Sequence, residues 1–343
     1  MTRPAAPLAL SLGDPAGVGP EIAAKAWRTM RATGPGPAFV VVGDASALRA
    51  AADEVPVRPV ADMAEGAAAF AHALPVIDSP TAEPVTPGSP SSANAAAVVR
   101  WIETGTALAL SGEAGGLVTC PIAKATLYEA GFAYPGHTEF VAALTEAAPY
   151  PGPRGPVMML TAADLRTVLV TIHVPLAKAI AALTTEAIVQ VGRVTAFALQ
   201  RDLGIERPRL ALAGLNPHAG EGGAIGREEI EIVAPAARRL REAGIDCSDP
   251  RPADTLFHAE ARLGYDAAVC LYHDQALIPV KTLDFWGGVN ATLGLPIVRT
   301  SPDHGTGFDL AGRGLAREDS LVAALRLAAQ MAERRRAAGQ TGA

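Results

Sequence analysis

Three histidines stand at the ends of apolar, strand-like segments. His173 ends RTVLVTIH, His218 follows RLALAGLN, and His273 ends AAVCLYH. In open α/β sheets, ligands bind beyond the carboxyl ends of the strands, and imidazole is a favoured ligand of zinc, cobalt and other divalent ions. A single histidine at a strand end is more often a residue that forms hydrogen bonds within the protein or with solvent than a metal ligand. Three of them at three strand ends predict a metal site that leaves coordination positions open for a substrate.

The segment GLNPHAGEGGAIG, residues 214–226, poses a choice between two kinds of site. Its glycines are typical of a loop that binds an anion through backbone amides, but such a loop needs no histidine. Because His218 lies just past a strand, we interpret it as a metal ligand. The glycines that follow it then let the chain turn into a helix near residue 226.

Other polar residues have the chemistry to bind an anionic substrate. These are His137 and Thr138 in YPGHTEF, Lys124 in VTCPIAK, Lys281 at the end of ALIPVK, and Asn290 and Arg299 on either side of TLGLP. Taken singly, each of these residues is more often a surface-loop residue than a ligand contact. Lys281 is harder to explain in that way, because a lysine after an apolar run either reaches the surface or points into a cleft.

Two further segments are rich in glycine. GDPAGVGPEI (13–22) follows a strand and opens a helix, which predicts backbone amides that face an anion. RTSPDHGTGFDLAGRG (299–314) is either a ligand loop or a tight turn before the last helix. The sequence contains neither GxGxxG nor a Walker A motif, which argues against a standard dinucleotide fold and against a P-loop kinase.

Short apolar runs alternate with helical patterns, which predicts an α/β fold with a largely parallel core. Helices are expected at 226–243, where acidic residues precede basic ones and Gly244 follows, and at 318–338. Loops rich in proline are expected at 78–93 and 145–156, and the second is a candidate domain boundary.

The composition argues against several classes of partner. The formal net charge is −6, and the basic run RRR at 334–336 is typical of a solvated helix end, so neither nucleic acid nor a membrane is expected. No signal peptide or long apolar span is present, and we expect a cytoplasmic protein. The three cysteines lie far apart and form neither a disulfide framework nor a zinc motif.

Taken together, the blocks GDPAGVGPEI, VTCPIAK, PGHTEF, LNPHAGEGGAIGREE, PADTLF, YHDQALIPVK and VNATLGLPIVRTSPDHGTGFDLAGRG resemble the 4-hydroxythreonine-4-phosphate dehydrogenase family of pyridoxal phosphate biosynthesis. They extend from residue 11 to about residue 314 in the family's order. The resemblance implies a fold similar to isocitrate and isopropylmalate dehydrogenases, with a cleft between two α/β domains. We expect one domain at about 1–120 plus 290–343 and the other at about 121–289.

The resemblance also implies a homodimer with the active site at the subunit interface. Its metal ligands fall on His173, His218 and His273, for zinc, magnesium or cobalt. Its substrate contacts fall on His137, Thr138, Lys281, Asn290 and Arg299. NAD or NADP is expected near 303–309, at Asp303, Gly305 and Thr306.

The reaction implied is oxidation of the C3 hydroxyl of 4-phosphooxy-L-threonine to a 3-keto acid, which loses CO2 to give 3-amino-2-oxopropyl phosphate. Lys281 and Asp254 are the candidate general bases, and Lys281 is favoured because a cation there also offsets developing enolate charge. The alternatives are a paralogous dehydrogenase for threonate or erythronate 4-phosphate, a metal-dependent phosphatase, and a catalytically silent metabolite-binding protein.

Overall fold

The structure, a computed structural model, describes residues 6–34, 36–52 and 54–340. In these residues the strands are β1 (Leu8–Ser11), β2 (Phe39–Gly43), β3 (Val57–Pro59), β4 (Leu74–Asp78), β5 (Leu117–Thr119), β6 (Val157–Ala162), β7 (Leu165–Leu169), β8 (Arg209–Leu212), β9 (Asp246–Cys247), β10 (Ala267–Cys270), β11 (Val289–Leu293) and β12 (Arg299–Pro302). The α-helices are α1 (Gly19–Ala32), α2 (Ala45–Ala51), α3 (Met63–Ala69), α4 (Ala95–Ser111), α5 (Lys124–Glu129), α6 (His137–Leu144), α7 (Leu176–Ala182), α8 (Thr185–Leu203), α9 (Ala234–Glu242), α10 (Ala259–Arg262), α11 (His273–Leu283) and α12 (Asp319–Gln340).

The chain forms two compact units. The first unit contains the described residues up to Pro149 together with Leu295–Gln340, and the second contains Tyr150–Gly294. The first junction differs from the one expected near residue 120, because α6 packs against α4 and so keeps residues beyond 120 in the first unit.

The first unit has a parallel sheet with the strand order β3-β4-β2-β1-β5-β12. Its central strands are continuous apolar runs, and every residue of LALS in β1 and FVVVG in β2 is buried. This is the pattern of a parallel sheet covered on both faces. Trp101 of α4 and Ile22 of α1 are fully buried in the core of this unit.

The second unit has the strand order β11-β6-β7-β10-β8-β9. Strands β7, β10, β8 and β9 are parallel neighbours, whereas β6 pairs antiparallel with both β11 and β7. Only residues 163 and 164 connect β6 to β7, and Ala163 has a left-handed φ of 51°. A connection this short permits only a hairpin. The α/β fold is confirmed, and the expected parallel core is interrupted at β6.

Both predicted helices are confirmed in their main part. The C-terminal helix is α12, and the 226–243 segment becomes a π-helical turn, Glu229–Val233, followed by α9. Gly244 has a left-handed φ of 80°, as expected of the residue that ends a helix. Among the described helices, none combines the length and the apolar character needed to cross a membrane.

Candidate functional site

The three histidines follow three neighbouring strands of the second unit. Strands β7, β10 and β8 lie side by side and parallel, and they end at Leu169, Cys270 and Leu212. The observed strands therefore end a few residues before each histidine, so His173 and His273 lie beyond the strands and not within them. Since parallel strands end at one edge of their sheet, His173, His273 and His218 all extend from the same edge.

His173 and His273 contact one another at this edge. Their ring centroids are 5.7 Å apart with an interplanar angle of 45°. Both line a cavity of about 290 Å³, together with Ile172, Val174, Leu176, Ala179, Tyr272 and Asp274. His273 Nδ1 lies 2.7 Å from an Asp274 carboxylate oxygen. With the proton on Nδ1, this hydrogen bond leaves Nε2 as the nitrogen that can bind a metal.

A strained turn holds His218. From His218 to Gly223 every residue has a positive φ, including 52° at His218, 50° at Ala219 and 44° at Glu221. Non-glycine residues in this conformation each cost about 1–3 kcal/mol and persist only where the surroundings enforce them. This turn is therefore held by its contacts rather than by local preference.

Glu229 supplies those contacts. Its buried carboxylate accepts hydrogen bonds from the backbone amides of Leu215 and Asn216, both at 2.7 Å, and from the Asn216 side chain at 2.8 Å. A side chain at Gly220 would lie 2.7 Å from the same carboxylate, so this position requires glycine. The glycines noted in the sequence thus serve the close approach of Glu229.

Gln275 connects two of the strand ends. Its buried side chain accepts a hydrogen bond from the Leu271 amide at 2.7 Å and donates one to the Gly214 carbonyl at 2.8 Å. The segments that lead to His273 and His218 are therefore linked. Among the described residues, however, no group of three histidine, cysteine or acidic side chains is arranged to hold a metal ion. The structure brings His173 and His273 together, while His218 remains exposed on its own turn.

A cluster of donors lies in the first unit. Arg299 is buried, and its Nη2 donates to the Thr119 hydroxyl at 2.7 Å. Burial lowers the pKa of Arg299 to about 10, and the nearby Glu139 carboxylate opposes that shift. The side chain therefore stays protonated at neutral pH.

His137 begins α6 beside this arginine. Its Nε2 is buried and has no hydrogen-bond partner within the described chain. Burial, then the charges of Arg299 and Lys124, hold the pKa of His137 well below its ordinary value of 6.5. A neutral imidazole, a buried guanidinium and a lysine at the start of a helix form a site suited to a carboxylate or phosphate.

The remaining predicted residues are more dispersed. Thr138 follows His137 in the first turn of α6. In the second unit, Asn290 lies in β11 with a buried Oδ1 that lacks a partner in the described chain. Lys281 lies in the last turn of α11, with Nζ 5.3 Å from the Phe285 ring centroid. Asp254 is exposed on the turn Ala253–Thr255, which packs against the His218 turn.

The two glycine-rich loops of the first unit contact each other. The Val18 amide donates to the Thr306 carbonyl at 2.8 Å, and a side chain at Gly17 would lie 2.7 Å from that oxygen. The Ala16 and Gly17 amides are also used, by the side chain and the carbonyl of Asp14. The expectation that GDPAGVGPEI offers backbone amides to an anion is therefore not met at residues 16–18, because the chain satisfies these three amides internally.

The predicted cofactor residues follow β12. The Asp303 amide donates to the Ser320 hydroxyl at 3.0 Å, and His304 Nδ1 lies 2.9 Å from the Gly305 carbonyl. Ser320 belongs to the first turn of α12, so the helix fixes the start of this loop. Sequence reasoning missed Thr119, Glu229 and Gln275, since each acts through a partner that the local sequence does not identify.

Comparison with known proteins identifies relatives over nearly the full length of the chain. The family model described as pyridoxal phosphate biosynthetic protein PdxA matches residues 36–328. The chain belongs to this family. The 4-hydroxythreonine-4-phosphate dehydrogenase of Caulobacter vibrioides is 66% identical over 96% of this chain and 98% of its own. The enzyme of the same name from Maricaulis maris is 58% identical over 95% and 98%.

Solved structures agree with PdxA family membership. The crystal structure of a 4-hydroxythreonine-4-phosphate dehydrogenase from Klebsiella pneumoniae matches with a TM-score of 0.82 at 38% identity, covering 96% of this chain and all of that one. The resemblance inferred from the sequence motifs is confirmed. These relatives are named as dehydrogenases, so the family is one of oxidoreductases and not of phosphatases or silent binding proteins.

Proposed function

We propose that this chain catalyses the nicotinamide-dependent oxidation of 4-phosphooxy-L-threonine at C3, followed by loss of CO2 to give 3-amino-2-oxopropyl phosphate. The observation that carries the proposal is membership of the PdxA family along almost the whole chain. The donor cluster around Arg299 would bind the anionic groups of the substrate, and the paired histidines at a sheet edge would bind a metal.

His173, His218 and His273 would hold a divalent metal, with zinc, magnesium and cobalt as candidates. The fit rests on the contact between His173 and His273 and on the Asp274 carboxylate that leaves one nitrogen of His273 for coordination. When bound, the metal would polarise the substrate oxygen at C3 and thereby favour both hydride loss and decarboxylation. We propose that the partner subunit supplies His218 to this ligand set, because His173 and His273 contact each other while His218 is exposed on a separate turn.

Arg299, His137 and Thr138 would bind the anionic groups of the substrate, with Lys124 adding positive charge. Arg299 would donate to a phosphate or carboxylate as a group that is charged at neutral pH, and the Thr119 hydroxyl helps to orient it. His137 stays neutral at physiological pH, so it offers one donor without a charge of its own. Asn290 would contribute the amide whose buried oxygen has no partner in the described chain.

Lys281 is the proposed general base, and Asp254 is the second candidate. Lys281 lies on the helix that begins with His273, whereas Asp254 lies on a turn that packs against the turn of His218. Asp303, Gly305 and Thr306 would contact NAD or NADP. This assignment is supported by two contacts of the loop after β12. The Asp303 amide donates to Ser320 of α12, and the Thr306 carbonyl accepts from the Val18 amide next to the start of α1.

A direct assay tests the activity. NADH or NADPH formation with 4-phosphooxy-L-threonine should be lost with a chelator and restored by adding zinc, magnesium or cobalt. Faster turnover of threonate or erythronate 4-phosphate would instead assign the chain to a paralogous dehydrogenase. Phosphate release without reduced nicotinamide would contradict the proposal altogether.

Separate variants test the residue roles. Lys281→Met and Asp254→Asn should be compared by their pH profiles of turnover, since only loss of the base removes the corresponding ionisation from the profile. His218→Ala should reduce both metal binding and turnover, and an unchanged metal content would exclude His218 as a ligand.

A further inference from the structure

The glycine-rich segment 306–316 forms hydrogen bonds with residues of helix α1, or next to its start, at both ends of the segment. At one end the Val18 amide, next to the helix start, donates to the Thr306 carbonyl at 2.8 Å. At the other end the Glu21 carboxylate accepts the Ala316 amide at 2.9 Å. Lys25 Nζ donates to the Gly314 carbonyl at 2.9 Å and to the Ala316 carbonyl at 2.6 Å. All of these contacts lie within the first unit.

Glu21 and Lys25 form an ion pair one helical turn apart, with an Nζ to Oε1 distance of 2.8 Å. Glu21 is 5% exposed, so its charge is held away from water. An exposed pair of this kind contributes little. Here each member of the pair also binds the backbone of the loop, so one Glu21 oxygen and one Lys25 nitrogen together satisfy three backbone groups of residues 314–316.

The segment between these anchors has little conformational preference of its own. Gly307, Gly312 and Gly314 all have left-handed φ angles, between 55° and 75°. Glycine leaves the unbound chain many alternative conformations, and ordering each backbone residue costs about 1–2 kcal/mol. A loop of this composition holds a ligand well only if other parts of the fold have already fixed its ends.

We infer that Glu21 and Lys25 are positioning residues for nicotinamide cofactor binding: they fix the C-terminal end of the loop that begins with Asp303, Gly305 and Thr306. This inference rests on the proposed function, which places the cofactor at that loop. Glu21 and Lys25 would act through the loop and would not contact the cofactor themselves. Their loss should therefore weaken cofactor binding while the chemistry at saturating cofactor remains nearly intact.

Lys25→Met tests the inference, because it removes three hydrogen bonds and keeps a side chain of similar length. We expect the dissociation constant for NAD or NADP, measured by calorimetry on the purified full chain, to rise about tenfold. The KM for the cofactor should rise in parallel, with kcat at saturating cofactor within about twofold of wild type. Lys25→Arg keeps the charge and the donors and should recover at least part of the affinity.

Arg201→Met provides a matched control. Arg201 and Asp202 form a similarly buried ion pair at 2.9 Å in the second unit, outside the proposed site. That variant should lower thermal stability without changing cofactor affinity. If Lys25→Met does not fold, Glu21→Gln provides the second variant. Glutamine can still accept the Ala316 amide, but it lacks the charge that pairs with Lys25, so the cofactor dissociation constant should still rise.

The outcomes separate this inference from the proposed function. Wild-type chain that neither binds nor reduces NAD or NADP would overturn both. Wild-type chain that binds and turns over, with Lys25→Met and Glu21→Gln showing the cofactor affinity of Arg201→Met, would overturn the positioning role alone. A selective rise in the cofactor dissociation constant that Lys25→Arg partly reverses would support it.

Discussion

At the residue scale, the Thr119 hydroxyl helps to orient Arg299. Thr119 accepts from the buried guanidinium at 2.7 Å, and hydrogen bonds to charged groups contribute about 1.5–3 kcal/mol. We predict that Thr119→Val raises the KM for the phosphorylated substrate about tenfold, because the guanidinium loses a buried acceptor. Steady-state kinetics with varied substrate measure this effect.

Thr119→Ser is the matched control for that variant, since it retains the hydroxyl and removes only a methyl group. It should keep the wild-type KM within about twofold. Equal KM values for the valine and serine variants would show that the hydroxyl does not orient Arg299 for substrate binding.

The buried imidazole of His137 should make the stability of the folded chain depend on pH. Its folded pKa is lowered, mainly by burial, whereas the unfolded chain binds a proton near pH 6.5. The unfolded state therefore binds more protons as the pH falls through 6.5 toward the folded pKa, and stability decreases over that range. We predict that His137→Gln loses less thermal stability than wild type between about pH 7.5 and about pH 5.5. His72→Gln, at an exposed histidine, should behave like wild type.

The sequence identified the types of residue in the site better than their supporting contacts. Arg299 and His137 were identified because each is a charged or titratable residue close to glycine and proline in the sequence. Thr119 does not, because its role arises when β12 pairs with β5 and brings distant residues together. Such contacts depend on sheet topology and not on local pattern.

At the element scale, the turn that carries His218 depends on Glu229. This carboxylate accepts two backbone amides at 2.7 Å each, and an unsatisfied buried donor costs about 1–3 kcal/mol. We predict that Glu229→Met lowers the free energy of unfolding by at least about 2 kcal/mol. Metal affinity should also fall, since the left-handed residues of the turn lose the contacts that hold them. Denaturant unfolding and metal titration measure the two effects.

Glu231→Gln provides the control from the same helical segment. Glu231 pairs with Arg227 at 2.6 Å, but both side chains are exposed, and such a pair contributes less than about 1 kcal/mol. This variant should retain wild-type stability and metal affinity. Equal losses in both variants would show that charge on this segment matters and that the Glu229 contacts with the turn do not.

Periodicity and charge pattern predicted the α12 helix, and the strand ends predicted the sheet edge of the three histidines. The β6–β7 hairpin was not predicted, because both strands are apolar runs that read equally well as parallel strands. The left-handed run after Pro217 was not predicted in detail either. Its non-glycine members oppose their local preference and are held by a glutamate farther along the chain.

At the scale of the whole molecule, the second unit exposes an apolar surface at the start of α7. Val174 and Leu176 are exposed there and line the cavity of His173 and His273. Ile278 on α11 and Phe285 just after it are further exposed apolar side chains. We predict that the chain forms a dimer through this surface and that Leu176→Asp produces monomers. Leu263→Asp is the control, since Leu263 is even more exposed but lies on neither helix. Light scattering distinguishes monomers from dimers, and a wild-type monomer would contradict the proposal.

Subunit mixing tests whether two chains share each metal site. His173→Ala and His218→Ala should each be inactive alone, because each lacks one proposed ligand. If His218 serves the site that contains the partner's His173, a mixed dimer places both lesions in one site and leaves the other intact. Random mixing then restores about one quarter of wild-type activity. If each chain instead holds all of its own ligands, every site in the mixed dimer carries a lesion, and activity stays absent at every mixing ratio.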